Sequence, residues 1–454
     1  MEEKGHVVAL AFPFGTHAAP VMSVLCRLAA LSPATRFSFL STRACISSAT
    51  KGVALPPNLV TYAVRDGVPD GHVAKGGPME EIEMFLAVAR RSFEEGMERA
   101  VEESGRRVTC LVTDAFFWFG REVADRIGGV HWVTAWGGPA ALSAHLYTDF
   151  LRESLDTGDA ISGREDEFLT QIPGMSKIKV GDLPEGVVVG QLDSPFSEML
   201  HKMSQNLPLA DAMFLQSFEE LAPEFTEDLK SKLKGCLNIG PLSLAIPPPK
   251  SPDAYNCIEW LDKHRAASVA YIGFGSMSVP PPHELVSLAD ALEARNVPFL
   301  WSLKDSARVH LPDGFLERTS LASRGLVVPW APQMEILRHE AVGVFITHGG
   351  WNSVVESVVG GVPMICRPFF GDHKINARMV EDVWGIGVRV KGGTLTVDGV
   401  TDYLNEVLFG ENGKKMRDAA KTLQNKAIVA VEPQGSSSNN FRTLLEIVTN
   451  TKKL

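Results

Sequence analysis

The chain has 454 residues, 45% of them hydrophobic and 22% charged, a globular balance that needs no disulfide or metal staple to build its core. A net charge of −10 sets the surface against phosphate backbones, which excludes nucleic acid as a partner and confines any phosphate site to local backbone N–H groups and a few side chains. The six cysteines are scattered with no C-x-x-C pair, the start Met1-Glu2-Glu3-Lys4 is wrong for a signal peptide, and no run approaches the ~18 apolar residues of a membrane span, so a reduced, cytoplasmic, monomeric chain is expected.

Short β-rich runs alternate with helical patterns. Val7–Phe12 reads as a strand, Pro20–Leu31 repeats apolar residues at helical spacing, and Phe37–Leu40, Val108–Val112, Trp132–Ala135 and Ala212–Leu215 read as further strands. This rhythm predicts an α/β fold with a parallel sheet covered on both faces. Pro247, Pro248, Pro249 and Pro252 mark a stiff linker over 243–255. The rhythm then restarts with Val269–Phe274, Phe299–Leu303, Leu326–Val328, Gly343–Thr347 and Pro363–Cys366. Two doubly wound domains are predicted, 1–242 and 256–437, with a last helix over 438–454 packing back on the first and Gly435–Asn440 as its capping loop.

Two loops after strands carry chemistry. In the first half, Phe12-Pro-Phe-Gly-Thr-His17 follows the first strand, so His17 stands at a carboxyl end, where open α/β sheets bind ligands. An imidazole can take a proton near neutral pH, and a phenolic hydroxyl is a poor nucleophile until its proton leaves. Alone, His17 reads more simply as a cap or a solvent-facing side chain. Asp114, after Val108–Val112, could orient that imidazole or equally cap the next helix. No G-x-G-x-x-G follows the first strand, because Phe12–Ala18 holds only Gly15, and this sets aside a dinucleotide-dependent dehydrogenase.

In the second half, residues 330–373 read WAPQMEILRHEAVGVFITHGGWNSVVESVVGGVPMICRPFFGDH. The pattern predicts a strand to Thr347, a turn over His348–Asn352, a helix over Ser353–Val359 and another strand after Gly360-Gly361. Glycines admit a ligand close to the backbone, and a helix N-terminus offers unpaired N–H groups and the positive end of its dipole, so a diphosphate there needs no lysine cluster. The plainer readings are a capping box for Ser353 and Glu356, core aromatics for Trp330 and Trp351, and turn or loop roles for Asp372 and His348.

The stretch 330–373 closely resembles the signature box of plant secondary-product UDP-sugar glycosyltransferases, and FPFGTHAAP, GFGSM, HLPDGF and LDSPF resemble the flavonoid 3-O-glycosyltransferase branch. The resemblance implies a GT-B fold of two Rossmann-like domains facing a central cleft. It implies Trp330 stacked on uracil with Ala331 at its edge, Ser302 near uracil and ribose, and Gln333 and Glu356 on the ribose. His348, Asn352, Ser353 and Ser276 would hold the diphosphate, and Trp351, Asp372 and His373 would face the sugar. His17 would be the base and Asp114 its partner. Phe14, Phe116, His145, Phe196 and Phe370 would line the site of a flavonol or anthocyanidin. Small-molecule substrates are thus the expected partners, and no cofactor or metal is expected, since neither loop carries a D-x-D pair.

The chain departs from the branch pattern at three positions. His373 stands where Gln is usual, which in the family accompanies UDP-galactose and favours galactose over glucose. Gly137 replaces a sugar-contacting Thr, and Met79 a Gln near the acceptor. The rival readings are a UDP-glucose-dependent phenolic glucosyltransferase and a sugar-nucleotide binder without catalysis.

Overall fold

Two parallel sheets organise the computed structural model, which describes residues 5–69, 71–72, 78–155, 163–247 and 252–450. The first comprises β1 (His6–Leu10), β2 (Arg36–Thr42), β3 (Leu59–Val64), β4 (Cys110–Asp114), β5 (His131–Trp136), β6 (Ala212–Leu215) and β7 (Cys236–Asn238). Its strand order is β3-β2-β1-β4-β5-β6-β7. The second comprises β8 (Val269–Gly273), β9 (Phe299–Ser302), β10 (Gly325–Val328), β11 (Val342–Thr347), β12 (Met364–Cys366) and β13 (Gly387–Arg389), in the order β10-β9-β8-β11-β12-β13. β3, β7 and β13 carry no strand signal in the sequence. The last two are only three residues long and end on Asn238 and Arg389, while β3 is an edge strand whose Thr61 and Ala63 are half-buried, so none shows a continuous apolar run.

Period-two alternation builds the first core. Val7 and Ala9 of β1 face the helix Ala18–Leu31, whereas Val8 and Leu10 face the long helix Pro78–Ser104 through Phe85, Phe93 and Met97. The helix Ser436–Thr449 adds Phe441, Leu444 and Val448 to the Val7 side. In the second sheet, Ala270, Ile272, Phe299 and Trp301 pack on Leu285, Leu288 and Leu292 of the helix Pro282–Ala294.

The chain divides into two compact units, Met1–Ile161 with Glu185–Pro249 and Ala430–Leu454, and Ser162–Pro184 with Lys250–Val429. Two stretches thus lie across the uninterrupted cuts at 242 and 437. Residues 163–184 go with the second unit because buried Asp182 accepts from Arg378 Nε (2.6 Å) and Lys177 Nζ donates to the Asp382 carbonyl (2.7 Å). Residues 430–437 go with the first. Gly435–Asn440 is not a capping loop: Gly435 alone is the cap, and the next five residues begin the helix. Two of them find tertiary partners, Ser437 Oγ donating to the Gly240 carbonyl (2.5 Å) and Asn440 Nδ2 to that of Asn238 (3.0 Å), so these side chains do not compete with the helix. Of the expected linker, 248–251 lie outside the described residues, as do 451–454 of the last segment.

Candidate active site

Each sheet reverses its strand order at one point, between β1 and β4 in the first and between β8 and β11 in the second. Crevices outside the carboxyl ends of strands form at such points. The singled-out histidines His17 and His348 stand at these two places.

In the first unit β1 runs out into a turn with Gly15 at φ 62°, and His17 immediately precedes the helix Ala18–Leu31. His17 Nδ1 lies 2.9 Å from Asp114 Oδ2. Asp114 is the last residue of β4 and 2% exposed, whereas the His17 side chain is 33% exposed. The carboxylate therefore accepts a hydrogen bond from the Nδ1–H of a neutral imidazole, which leaves the ring's lone pair on Nε2. Asp114 does not cap the following helix, which begins only at Gly120; its other oxygen accepts from the Phe116 N–H (3.0 Å).

Aromatic rings surround this pair. Phe116 lies 4.7 Å from the His17 ring, Phe196 5.9 Å and Trp136 5.6 Å from Phe116, and Phe12 touches both Phe14 (5.4 Å) and His17 (5.3 Å). His145 is 3% exposed, edge-on to Trp136 at 5.5 Å, and its Nδ1 is buried without a hydrogen-bond partner. Burial pushes its pKa down to about 4. Phe370 belongs to the second unit, half exposed, with its ring 4.8 Å from His373. Met79 is exposed at the start of the helix Pro78–Ser104.

In the second unit glycines make room for His348. A Cβ on Gly275, at φ 73°, would meet the His348 ring at 2.9 Å, and one on Gly350 would meet its Nε2 at 2.5 Å. The helix begins at Trp351 with Gly350 as its cap, two residues earlier than the sequence suggests, and ends at Gly361 in the left-handed region. Ser353 and Glu356 therefore form no capping box. Both turn instead to Gln333, whose Nε2 donates to Glu356 Oε2 (2.5 Å) and Ser353 Oγ (3.3 Å). Burial raises the Glu356 carboxyl to about 7, opposed by the Gln333 hydrogen bond.

His348 and His373 stand edge to face at 4.7 Å. Burial pushes His348 down to about 4, and burial with the neighbouring His348 pushes His373 down to about 3, so both are neutral in ordinary buffers. His373 Nδ1 accepts from the N–H groups of Phe369 (3.3 Å) and Phe370 (3.4 Å), which fixes its proton on Nε2. Arg367 braces this loop through Glu284, with Nη2 2.5 Å from Oε1 and Nε 3.0 Å from Oε2. Trp330 is 48% exposed between β10 and the helix Gln333–Leu337, beside buried Ala331. Ser276 is exposed beyond β8, Ser302 ends β9, and Asn352 is half-buried in the first turn after Gly350.

Two side chains escape the sequence reading. Asn376 is fully buried, and its Nδ2 donates to the Gly349 carbonyl (3.0 Å) and to Asp372 Oδ2 (2.9 Å). Its signal was the four-residue helical spacing from Asp372. Tyr271 donates to Gln333 Oε1 (3.1 Å); its signal was a hydroxyl inside an otherwise apolar strand. Among the described residues, no group of three or more His, Cys, Asp or Glu side chains is placed to hold a metal ion, and no helix is long and apolar enough to cross a membrane.

The family model described as UDP-glucoronosyl and UDP-glucosyl transferase matches residues 244–425. The chain is 52% identical over 450 residues to an anthocyanidin 3-O-glucosyltransferase of Vitis vinifera, with 98% of each chain covered. It is 51% identical over 447 residues to an anthocyanidin 3-O-galactosyltransferase of Actinidia chinensis var. chinensis, covering 98% of this chain and 97% of that one. A crystal structure of a UDP-glucose: anthocyanidin 3-O-glucosyltransferase in complex with UDP matches with a TM-score of 0.92 at 39% identity, covering 99% of both chains. The two Rossmann-like sheets are those of the GT-B fold.

Proposed function

We infer from one premise, that this chain belongs to the UDP-glucoronosyl and UDP-glucosyl transferase family, that it moves a hexose from UDP to the 3-hydroxyl of a flavonol or anthocyanidin, and that the hexose is galactose. The observation that carries the chemistry is the 2.9 Å contact of His17 Nδ1 with Asp114 where the strand order reverses between β1 and β4. His17 Nε2 takes the proton of the acceptor hydroxyl, and Asp114 stabilises the imidazolium that forms. The acceptor oxygen bonds to the anomeric carbon from the face opposite UDP. The bond from that carbon to the diphosphate oxygen breaks, and its electron pair leaves with UDP. One displacement turns an α-linked donor into a β-glycoside. The leaving charge meets the N-terminus of the helix Trp351–Gly360 and the neutral His348 region.

Trp330, Ala331, Ser302, Gln333 and Glu356 hold the nucleoside in this reading; Ser276, Asn352 and Ser353 hold the diphosphate; Trp351, Asp372 and His373 meet the sugar. Phe14, Phe116, Phe196, Phe370 and His145 serve the flat acceptor, whose faces suit aromatic walls. The galactose assignment rests on His373. With Nδ1 committed to two backbone N–H groups, the ring offers one Nε2–H donor, whereas a glutamine amide offers both a donor and an acceptor. Galactose and glucose differ only at C4, so a single hydrogen bond there can decide between them. The names of the relatives favour glucose as a second reading, since more of them, the Vitis vinifera protein included, are called glucosyltransferases than galactosyltransferases.

The test is a competition. Purified protein is given quercetin with equimolar UDP-galactose and UDP-glucose, and the products are resolved against 3-O-galactoside and 3-O-glucoside standards. A β-galactoside majority is expected, shifting toward glucose in His373→Gln. A glucoside majority removes the galactose assignment and leaves the base in place; an α-linked product removes the single displacement.

A further inference from the structure

We propose that Tyr271 is a positioning residue for the ribose of the donor nucleotide, acting through Gln333. The inference rests on the reading that Gln333 and Glu356 meet the ribose.

Tyr271 lies in the middle of β8, 1% exposed, with its ring stacked on Phe345 at 5.0 Å. A phenol buried in a sheet core must find a partner for its O–H. The partner is Gln333 Oε1 at 3.1 Å, on the first residue of the helix Gln333–Leu337. That bond selects the orientation of the amide. With Oε1 accepting from the phenol, the two Nε2 hydrogens go to Glu356 Oε2 (2.5 Å) and Ser353 Oγ (3.3 Å). The flipped amide would set its oxygen against the Glu356 carboxylate and leave the phenol hydrogen without an acceptor.

The bond runs close beside the strand backbone: a Cβ on Gly273 would stand at ordinary contact distance, 3.4 Å, from both the Tyr271 hydroxyl and Gln333 Oε1. The amide in turn favours the charged form of Glu356 against its burial. One hydroxyl from the sheet core therefore fixes an amide, and the amide fixes a carboxylate. Tyr271 itself touches none of the groups assigned to the nucleotide other than Gln333 among the bonds described.

The test uses the full chain and calorimetric titration with UDP, 2′-deoxy-UDP and 3′-deoxy-UDP. The native protein is expected to prefer UDP over at least one deoxy analogue, and Tyr271→Phe to weaken UDP by roughly tenfold while weakening that analogue far less, so that the preference collapses. A merely structural lesion would weaken all three alike. If Tyr271→Phe keeps the native preference, the inference falls and the ribose reading stands. If the native protein itself shows no preference, the ribose reading falls and takes the inference with it. Gln333→Leu repeats the test from the other side of the bond, in case Tyr271→Phe unfolds: Gln333→Leu should show the same collapse. A retained preference there would overturn the role of Tyr271 through Gln333.

Discussion

The two places where strand order reverses have the same topology and opposite electrostatics. Between β1 and β4, His17 is a third exposed and leans on the carboxylate of Asp114. Between β8 and β11, His348 is half-buried among glycines beside buried His373, and desolvation holds both rings neutral. A carboxylate neighbour prepares an imidazole to become charged, whereas desolvation forbids it. In the proposed reaction the first histidine therefore moves a proton and the second only donates or accepts a hydrogen bond. The backbone frame supplies a position, and the neighbours decide what the same side chain does there.

The sharpest way to break this contrast is to remove each imidazole. His17→Ala should lower kcat by about 10³-fold, the range of a lost general base, with the melting temperature little changed because the side chain is partly exposed. His348→Ala should lower kcat by about 10²-fold, the scale of one lost donor to a leaving charge. Its remaining activity should keep the native pH profile in steady-state assays above about pH 5, since His348 titrates only at about 4. A new acid limb in that variant would place proton transfer at the wrong histidine.

A smaller effect concerns stability. His145, His348 and His373 have folded values of about 4, about 4 and about 3, below the ordinary imidazole value. Their contribution is fully present above about pH 6.5 and is lost as pH falls toward their folded values, because the unfolded chain takes up the protons first. The melting temperature should therefore drop between about pH 7 and about pH 5, each group contributing at most about 1.4 kcal/mol per pH unit. His373→Gln should flatten that slope in a calorimetric scan. An unchanged slope would mean that the ring is not buried in the neutral form.

Much of the fold is legible in the residues. Continuous apolar runs such as Val269–Gly273 and Val342–Thr347 announce central parallel strands, because both their faces are covered. Edge and very short strands such as β3, β7 and β13 do not, because half-burial or three residues leave no period to count. At the site, the resemblance points to His17, Asp114 and the 330–373 stretch, and the structure brings His17 to Asp114 and Gln333 to Ser353 and Glu356. Residues that act through other side chains leave a weaker mark: Tyr271 looks like one more strand residue, and Asn376 like one more helical polar group.

The order of residues along the chain sets the two βα series, the break between them, the loops that follow their strands, and the residue types available at those loops. The rest comes from contacts between distant parts of the folded chain. They made Ser353 a partner of Gln333 rather than a cap, gave residues 163–184 to the second unit through Asp182, and set the Phe370 ring against His373. Local pattern depends on neighbours along the chain, and these outcomes depend on neighbours across it. His17 and Asp114 are 97 residues apart, and Tyr271 and Gln333 are 62, so burial and hydrogen-bond partner exist only once the sheets have formed.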